Sequence, residues 1–150
     1  MSTADPCARD TLMRYARDTW ASMAAMADQD SGLPADVIEF GGAVGAHTSI
    51  TDIGAYMWST LAAERIGLIG RADMVARIGR TLATLSEMDR HSPSGQFYNW
   101  YDCRTGARTT DWPPGRGSRM PTLSSVDNGW LAAGLHVVAV MAPVRQSYQL

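Results

Sequence analysis

Lysine is absent from the sequence. All 13 basic side chains are arginine, set against 15 acidic ones for a formal net charge of -2 at pH 7. With a pI near 5.8, the chain has no basic excess with which to neutralise phosphates. Nucleic acid and anionic membrane surfaces are therefore not expected as partners. Cysteine is nearly absent too: Cys7 and Cys103 lack the spacing of a zinc site or a redox pair, and are two free thiols or, if they meet in space, one disulfide. The three histidines, His47, His91 and His136, show no metal-ligand spacing, so neither a metal nor another cofactor is expected, and His136, on an uncharged segment, reads as a core histidine. Long hydrophobic runs are also missing. The longest uncharged apolar stretch, residues 129–142, falls short of the roughly 18 residues that span a bilayer and reads as a buried helix. The first ten residues carry acidic side chains where a signal peptide would be basic and then apolar. No P-loop, G-x-G-x-x-G or G-x-S-x-G is present, which leaves nucleotide and serine-hydrolase chemistry without support.

What is there suits one packable domain over residues 1–150, with 45% hydrophobic and 19% charged residues. Residues 7–28 predict a helix with Leu12, Ala16, Thr19, Met23 and Met26 on one stripe and Arg9, Asp10, Arg14, Arg17 and Asp18 largely off it. Residues 29–47 carry turn chemistry and predict a loop. A second helix, residues 51–68, is apolar nearly all round until Glu64. A third, residues 71–89, returns to an amphipathic pattern with Met74, Ile78, Leu82, Leu85 and Met88 opposed by Arg71, Asp73, Arg77 and Glu87. Residues 91–123 read as a loop with several aromatics and a Pro/Gly-rich part from Pro113 to Pro121. Residues 124–141 predict a fourth helix without charge after Asp127, which Pro143 ends. The order amphipathic, buried, amphipathic, buried is what alternating outer and inner helices of a toroid show, whereas a plain four-helix bundle predicts four similar amphipathic helices. The expected fold is all-α, a partial (α/α) toroid of two outer and two inner helices.

The two inner helices open alike: Ser49-Ile-Thr-Asp52-Ile-Gly54 and Ser124-Ser-Val-Asp127-Asn-Gly129 both read S-x-x-D-x-G, 75 residues apart, one period of an α/α repeat. Serine followed three residues later by a carboxylate is also capping-box spacing, in its Asp variant. Capping and lining a central cavity are compatible roles for Asp52 and Asp127. Asn128 and Trp130 beside Asp127 add an amide and a sugar-sized aromatic face. Between the third and fourth helices, Gly95-Gln-Phe-Tyr-Asn-Trp-Tyr-Asp102-Cys-Arg-Thr-Gly106 concentrates Phe97, Tyr98, Trp100 and Tyr101 among amides. Pyranose C–H faces pack on aromatic rings, and sugar hydroxyls need partners such as Gln96, Asn99 and Asp102. The competing reading makes Phe97 and one of the tyrosines core anchors of a long loop, with Trp100 the ring expected to be partly exposed. Asp28-Gln-Asp30-Ser-Gly32 lacks the third acidic position and the distal Glu of a calcium loop and reads as a solvated turn.

Three runs carry a family resemblance: Thr48-Ser-Ile-Thr-Asp-Ile-Gly-Ala-Tyr-Met-Trp-Ser-Thr-Leu-Ala-Ala63, then Gly95 to Gly106, then Ser125-Val-Asp-Asn-Gly-Trp-Leu-Ala-Ala133. Together they resemble the bacterial glucoamylase-like family and its relatives of the domain-of-unknown-function 3131 type. The resemblance implies an (α/α)6 toroid whose relatives hydrolyse or rearrange β-1,2-glucans through acidic residues at one mouth of the ring. It implies an oligo- or polysaccharide partner and a place in the cell envelope or outside the cell. A ring of six hairpins needs several hundred residues, so the chain is expected to form an N-terminal, truncated part of one, completed by a missing C-terminal half or by self-association. On that footing Asp127 and Asp52 form the provisional catalytic pair of a glycoside hydrolase. Tyr98, Asn99, Trp100, Tyr101, Asp102, Asn128 and Trp130 are the expected substrate-binding residues. The alternative is a non-catalytic carbohydrate-binding or self-associating helical fragment.

Overall fold

The computed structural model describes residues 6–110 and 122–141. The element order is α1 (Pro6–Met26), β1 (His47–Ser49), α2 (Ile50–Arg65), α3 (Arg71–Glu87), β2 (Trp100–Asp102) and α4 (Ser125–Met141). The four helices form a partial (α/α) toroid, with α2 and α4 packed on each other as the inner pair and α1 and α3 outside. The Pro113–Pro121 stretch and Pro143 lie outside the described residues.

The core is the inner pair's shared side. Ile50, Ile53, Met57 and Leu61 of α2 meet Leu131 and Val138 of α4, and Met74, Ile78 and Leu85 of α3 close the other flank. The crossing of α2 and α4 is unusually close because it is made of glycine: a Cβ on Gly134 would lie 2.6 Å from the Gly54 carbonyl oxygen, and one on Gly54 would lie 2.8 Å from that of Trp130. On the outer side, the Arg77 guanidinium binds Asp73 at 2.9 Å and the Tyr56 hydroxyl at 3.2 Å and lies over the Trp20 ring. Trp20 stacks on Tyr56, so this one cluster ties α1, α2 and α3 together.

Several sequence expectations are corrected. Leu12 is 67% exposed; the covered side of α1 runs through Ala16, Trp20 and Met23 instead, because Trp20 is drawn to Tyr56 and Arg77. Helix α4 is not buried all round: Leu131, Gly134 and Val138 face α2, while Val126, Trp130, Val140 and Met141 are exposed. His136 lies on that exposed side and is not a core histidine. The segment 91–123 read as a loop contains β2, and β1 begins at the last residue of the 29–47 loop; the two pair antiparallel with His47 opposite Asp102, Thr48 opposite Tyr101 and Ser49 opposite Trp100. Cys7 and Cys103 do not form a disulfide with each other; the first is exposed and the second buried, with its thiol pushed up by desolvation.

The loops are ordered by one turn used three times. Asp28-Gln-Asp-Ser-Gly32, His91-Ser-Pro-Ser-Gly95 and Asp102-Cys-Arg-Thr-Gly106 share the pattern [DH]-x-x-[ST]-G. Each is bracketed by an antiparallel bridge: Ala27 with Pro34, Arg90 with Phe97, Tyr101 with Arg108. In each the glycine has φ near +70° (71°, 70° and 71°), a left-handed conformation that a side chain would strain. The first and third are Asx turns in which the Asp Oδ1 accepts two backbone N–H groups, from Asp30 and Ser31 and from Arg104 and Thr105. In the second, His91 Nδ1 meets Ser94 Oγ at 2.9 Å. The Asp28 carboxyl is held below its usual range, first by the Ser31 backbone N–H. Ser31 donates its hydroxyl to the Cys103 carbonyl at 2.5 Å, and Thr84 of α3 donates to the Ser31 carbonyl at 2.6 Å, which docks the first and third turns together on the outer helix.

Candidate functional site

Both inner helices begin at the same end of the molecule, and the segment between the second and third turns, residues 98–100, is laid across their N-termini. The two helix starts share a sequence pattern but use it differently. In α2, Ser49 is the N-cap: its Oγ accepts from the Asp52 N–H at 3.2 Å, while Asp52 Oδ2 accepts from the Ser49 N–H at 2.9 Å and from its hydroxyl at 2.7 Å. This is a closed capping box, and it occupies Asp52. In α4, Ser124 Oγ likewise accepts from the Asp127 N–H at 3.2 Å. The Asp127 carboxylate turns outward to other elements instead. Its Oδ1 accepts the Thr51 hydroxyl of α2 at 2.8 Å. Its Oδ2 accepts the side-chain amide of Asn99, whose carbonyl oxygen in turn accepts from Trp100 Nε1 at 3.0 Å. The close glycine crossing brings the first turns of α2 and α4 near enough for the Thr51 bond.

Asn128 acts as a clasp. Its Oδ1 accepts from the Phe97 N–H at 3.0 Å, and its Nδ2 donates to the Phe97 carbonyl at 3.0 Å and the Ser124 carbonyl at 2.9 Å. Its amide is thus committed to holding the aromatic segment against α4. Tyr101 is an anchor of the same kind. Its ring is 0% exposed, and its hydroxyl accepts from the Tyr98 N–H at 2.8 Å and donates to the Asp89 carbonyl at 2.6 Å. Burial pushes its ionisation up to about 12. Asp102 is the acceptor of the third turn. Placed among the binding residues by sequence, Tyr101, Asn128 and Asp102 are found holding the loop: the Tyr101 hydroxyl and the Asn128 amide are turned into the protein, and Asp102 Oδ1 is taken up by its own turn. Phe97 packs edge-on against Tyr101 at the core, as the competing reading had it.

The groups that face outward at this end are fewer. Trp130 is 51% exposed and stands three residues after Asp127 on α4, a spacing that sets the two positions on one face of the helix. Trp100 and Asn99 are half-buried. Tyr98, also half-buried, is covered by the Arg108 guanidinium at 4.5 Å and the His91 edge at 6.2 Å. Asp127, Asn99, Trp100 and Thr51 are therefore brought together, with Trp130 beside them.

Asp52 has a different neighbour, Asp36, within side-chain hydrogen-bonding reach, and the two line a small cavity of about 80 Å³ with Met26 and Tyr56. The Asp36 N–H donates to the His47 carbonyl at 2.8 Å, which pins the loop there. Burial, then the adjacent Asp52 carboxylate, push the Asp36 carboxyl above its ordinary value, against a smaller opposing effect of His47. Sequence reasoning missed both Thr51 and Asp36. Thr51 is matched in the second repeat by Val126, so the repeat carries no signal for it, and Asp36 lies in a loop of no recognisable pattern. Among the described residues there is no cluster of three or more His, Cys, Asp or Glu side chains able to hold a metal ion, and no helix long and apolar enough to cross a membrane.

Comparison with known proteins places this geometry. The sequence profile of the family described as "Protein of unknown function (DUF3131)" matches residues 14–148. The cyclic beta-(1,2)-glucan synthase NdvB of Rhizobium meliloti is 30% identical over 140 residues, a match that takes in 91% of this chain and 4% of the synthase. Two crystal structures of proteins assigned as candidate glucoamylases share the fold. The one from Bacteroides caccae has a TM-score of 0.69 at 24% identity, covering 86% of this chain and 31% of that one. The one from Bacteroides fragilis has a TM-score of 0.68 at 22% identity, covering 92% and 32%. The chain thus spans about a third of the solved relatives and a small part of the synthase.

Proposed function

The chain belongs to the DUF3131 family, and on that premise we propose that it is a carbohydrate-active protein related to glycoside hydrolases, binding a β-glucan at the N-terminal mouth of its inner helices. The observation that carries this reading is the Asp127 carboxylate, bound by Thr51 and Asn99 and flanked by Trp100 and Trp130. A carboxylate that accepts sugar hydroxyls beside aromatic faces that pack on pyranose rings is the chemistry of a sugar subsite. The name of the synthase relative favours β-1,2-linked glucose as the ligand.

Hydrolysis needs two carboxyl groups flanking the glycosidic bond. Asp127 is the proposed one. Asp52, its provisional partner, serves in a cap and beside Asp36, so a second acid opposite Asp127 would come from further helices of a ring. The second reading, a non-catalytic sugar-binding or self-associating fragment, is favoured by the exposed apolar side of α4, with Val126, Trp130, Val140 and Met141 uncovered. Calorimetric titration with linear β-1,2-gluco-oligosaccharide, followed by an assay for sugar release, separates the two. Binding that weakens at least tenfold in Asp127→Asn supports the site. Release lost in the same variant supports catalysis, and binding without release supports the second reading. No binding by the wild-type chain, or equal binding by the variant, refutes the proposed site.

A further inference from the structure

We infer that Asn99 is a positioning residue that couples the Trp100 ring to the Asp127 carboxylate, so that an aromatic face and a hydroxyl acceptor meet a ligand as one rigid unit. The ligand this implies, a sugar ring offering two neighbouring hydroxyls, rests on the carbohydrate reading above; the coupling itself rests on geometry.

The Asn99 amide stands between a donor and an acceptor. Trp100 Nε1 can only donate, and the Asp127 carboxylate only accepts. One amide orientation satisfies both neighbours: the carbonyl oxygen accepts from Trp100 at 3.0 Å and the amino group donates to Asp127 Oδ2. The reverse orientation would set oxygen against oxygen and N–H against N–H, so the partners fix the amide and the amide fixes them. The backbone on either side is held as well. The Asn99 N–H donates to the Thr122 carbonyl at 2.9 Å, and Trp100 lies on β2 opposite the N-cap residue Ser49. With its carbonyl and its amino group both engaged, Asn99 acts on a ligand through Asp127 and Trp100.

The carboxylate is left with a definite capacity. Oδ1 holds the Thr51 hydroxyl and Oδ2 holds Asn99, and each oxygen retains a further lone pair. Two remaining acceptor sites on a carboxylate that cannot rotate match two adjacent hydroxyls of a pyranose, while the Trp100 ring is locked at a fixed angle to them. Thr51 provides the contrast, since it steadies the same carboxylate from the opposite oxygen.

The test is a double-mutant cycle on the full 150-residue chain, read at the Trp100 indole N–H in two-dimensional nitrogen–proton spectra and assigned with Trp100→Phe. Asp127→Asn is expected to shift that resonance in the wild-type background and to leave it unmoved in Asn99→Ala. If Asn99→Ala does not fold, Asn99→Asp keeps an acceptor for Trp100 and removes the donor to Asp127, and the same uncoupling is expected. Thr51→Val is expected to leave the coupling in place. Oligosaccharide affinity should fall about tenfold in Asn99→Ala, as for a lost charge-assisted hydrogen bond. A Trp100 indole that ignores Asp127→Asn while Asn99 is present, or that responds equally without Asn99, overturns the inference even if sugar binds. Coupling without sugar binding supports it and counts against the carbohydrate reading alone.

Discussion

Replacing Gly134 by alanine tests the feature on which the site depends, the contact of α2 and α4 backbone to backbone. The added Cβ would stand 2.6 Å from the Gly54 oxygen and 2.8 Å from the Gly54 Cα. Neither is the end of a side chain that could swing aside. Reaching ordinary contact requires the helices to part by roughly 0.8 Å, a gap that forfeits a quarter to a half of the attraction between facing atoms. Overpacking of this kind costs about 1–3 kcal/mol. Alanine recovers about 1 kcal/mol over glycine within a helix, so the net expectation is a loss of about 0–2 kcal/mol. Gly79 on α3 is the control, because a Cβ there meets nothing within 4 Å, and Gly79→Ala should stabilise by about 0.5–1 kcal/mol. The two variants should therefore differ by about 0.5–3 kcal/mol, or in Tm by roughly 2–10 °C in a chain of this size, measured by circular dichroism at 222 nm under reversible conditions. Widening the crossing should also loosen the bond from Thr51 to Asp127 and weaken any ligand that Asp127 holds. If Gly134→Ala matches or exceeds Gly79→Ala in stability, the close crossing is refuted, and with it the reason the two inner helix starts share a hydrogen bond.

Two other substitutions probe what surrounds the site. Because the Asp36 carboxyl is raised in the folded state, its contribution is fully present below the ordinary value of 3.8 and is lost as pH rises through the raised one. Asp36→Asn should therefore raise Tm at pH 7, with the advantage closing as the pH falls towards 4; a constant offset across that range would sink the idea. Tyr101→Phe removes two part-buried hydrogen bonds, to the Tyr98 N–H and the Asp89 carbonyl, and at about 0.5–1.5 kcal/mol each should cost about 1–3 kcal/mol, seen as a lower urea midpoint at unchanged slope. No loss would mean that the hydroxyl is not the loop's anchor.

Much of the fold was legible because it rests on periodicity. The apolar spacing of α3 and the charge-free stretch of α4 gave their bounds to within two residues at either end, and the alternation of amphipathic and apolar helices gave the layers. The failures are those of tertiary packing overriding pattern. Leu12 fits the helical stripe of α1, but Trp20, which the stripe omits, finds Tyr56 and Arg77 and turns the helix. Helix α4 is apolar all round, and composition alone cannot say that only the side through Leu131, Gly134 and Val138 is covered. The short β1–β2 pairing was illegible because three residues per strand leave no alternation to read. The [DH]-x-x-[ST]-G turn was written in the sequence three times, at Asp28, His91 and Asp102, and was the missed signal. It would have marked Asp102 as a turn acceptor and shown that the aromatic segment is held between two hairpins.

The divergence of the two helix starts bears most directly on function. Ser49 and Asp52 close on each other, a local bond set that needs no other element and stabilises the helix by itself. Ser124 still caps its helix through the Asp127 N–H, but the Asp127 side chain has left the box for Thr51 and Asn99. Given one sequence pattern, the difference comes from neighbours: Asp52 has the half-buried Asp36 carboxyl beside it, whereas Asp127 meets a hydroxyl and an amide that both donate. The paired glycines diverge in the same way. Gly54 is pressed against α4, while Gly129, at the matching position, meets nothing within 4 Å among the described residues. In a complete ring, a further inner helix packed on Gly129 as α4 packs on Gly54 would set its first turn where a group could face the proposed sugar ligand opposite Asp127. The first repeat is thus finished as structure, and the second presents its carboxylate and its open crossing to whatever binds next.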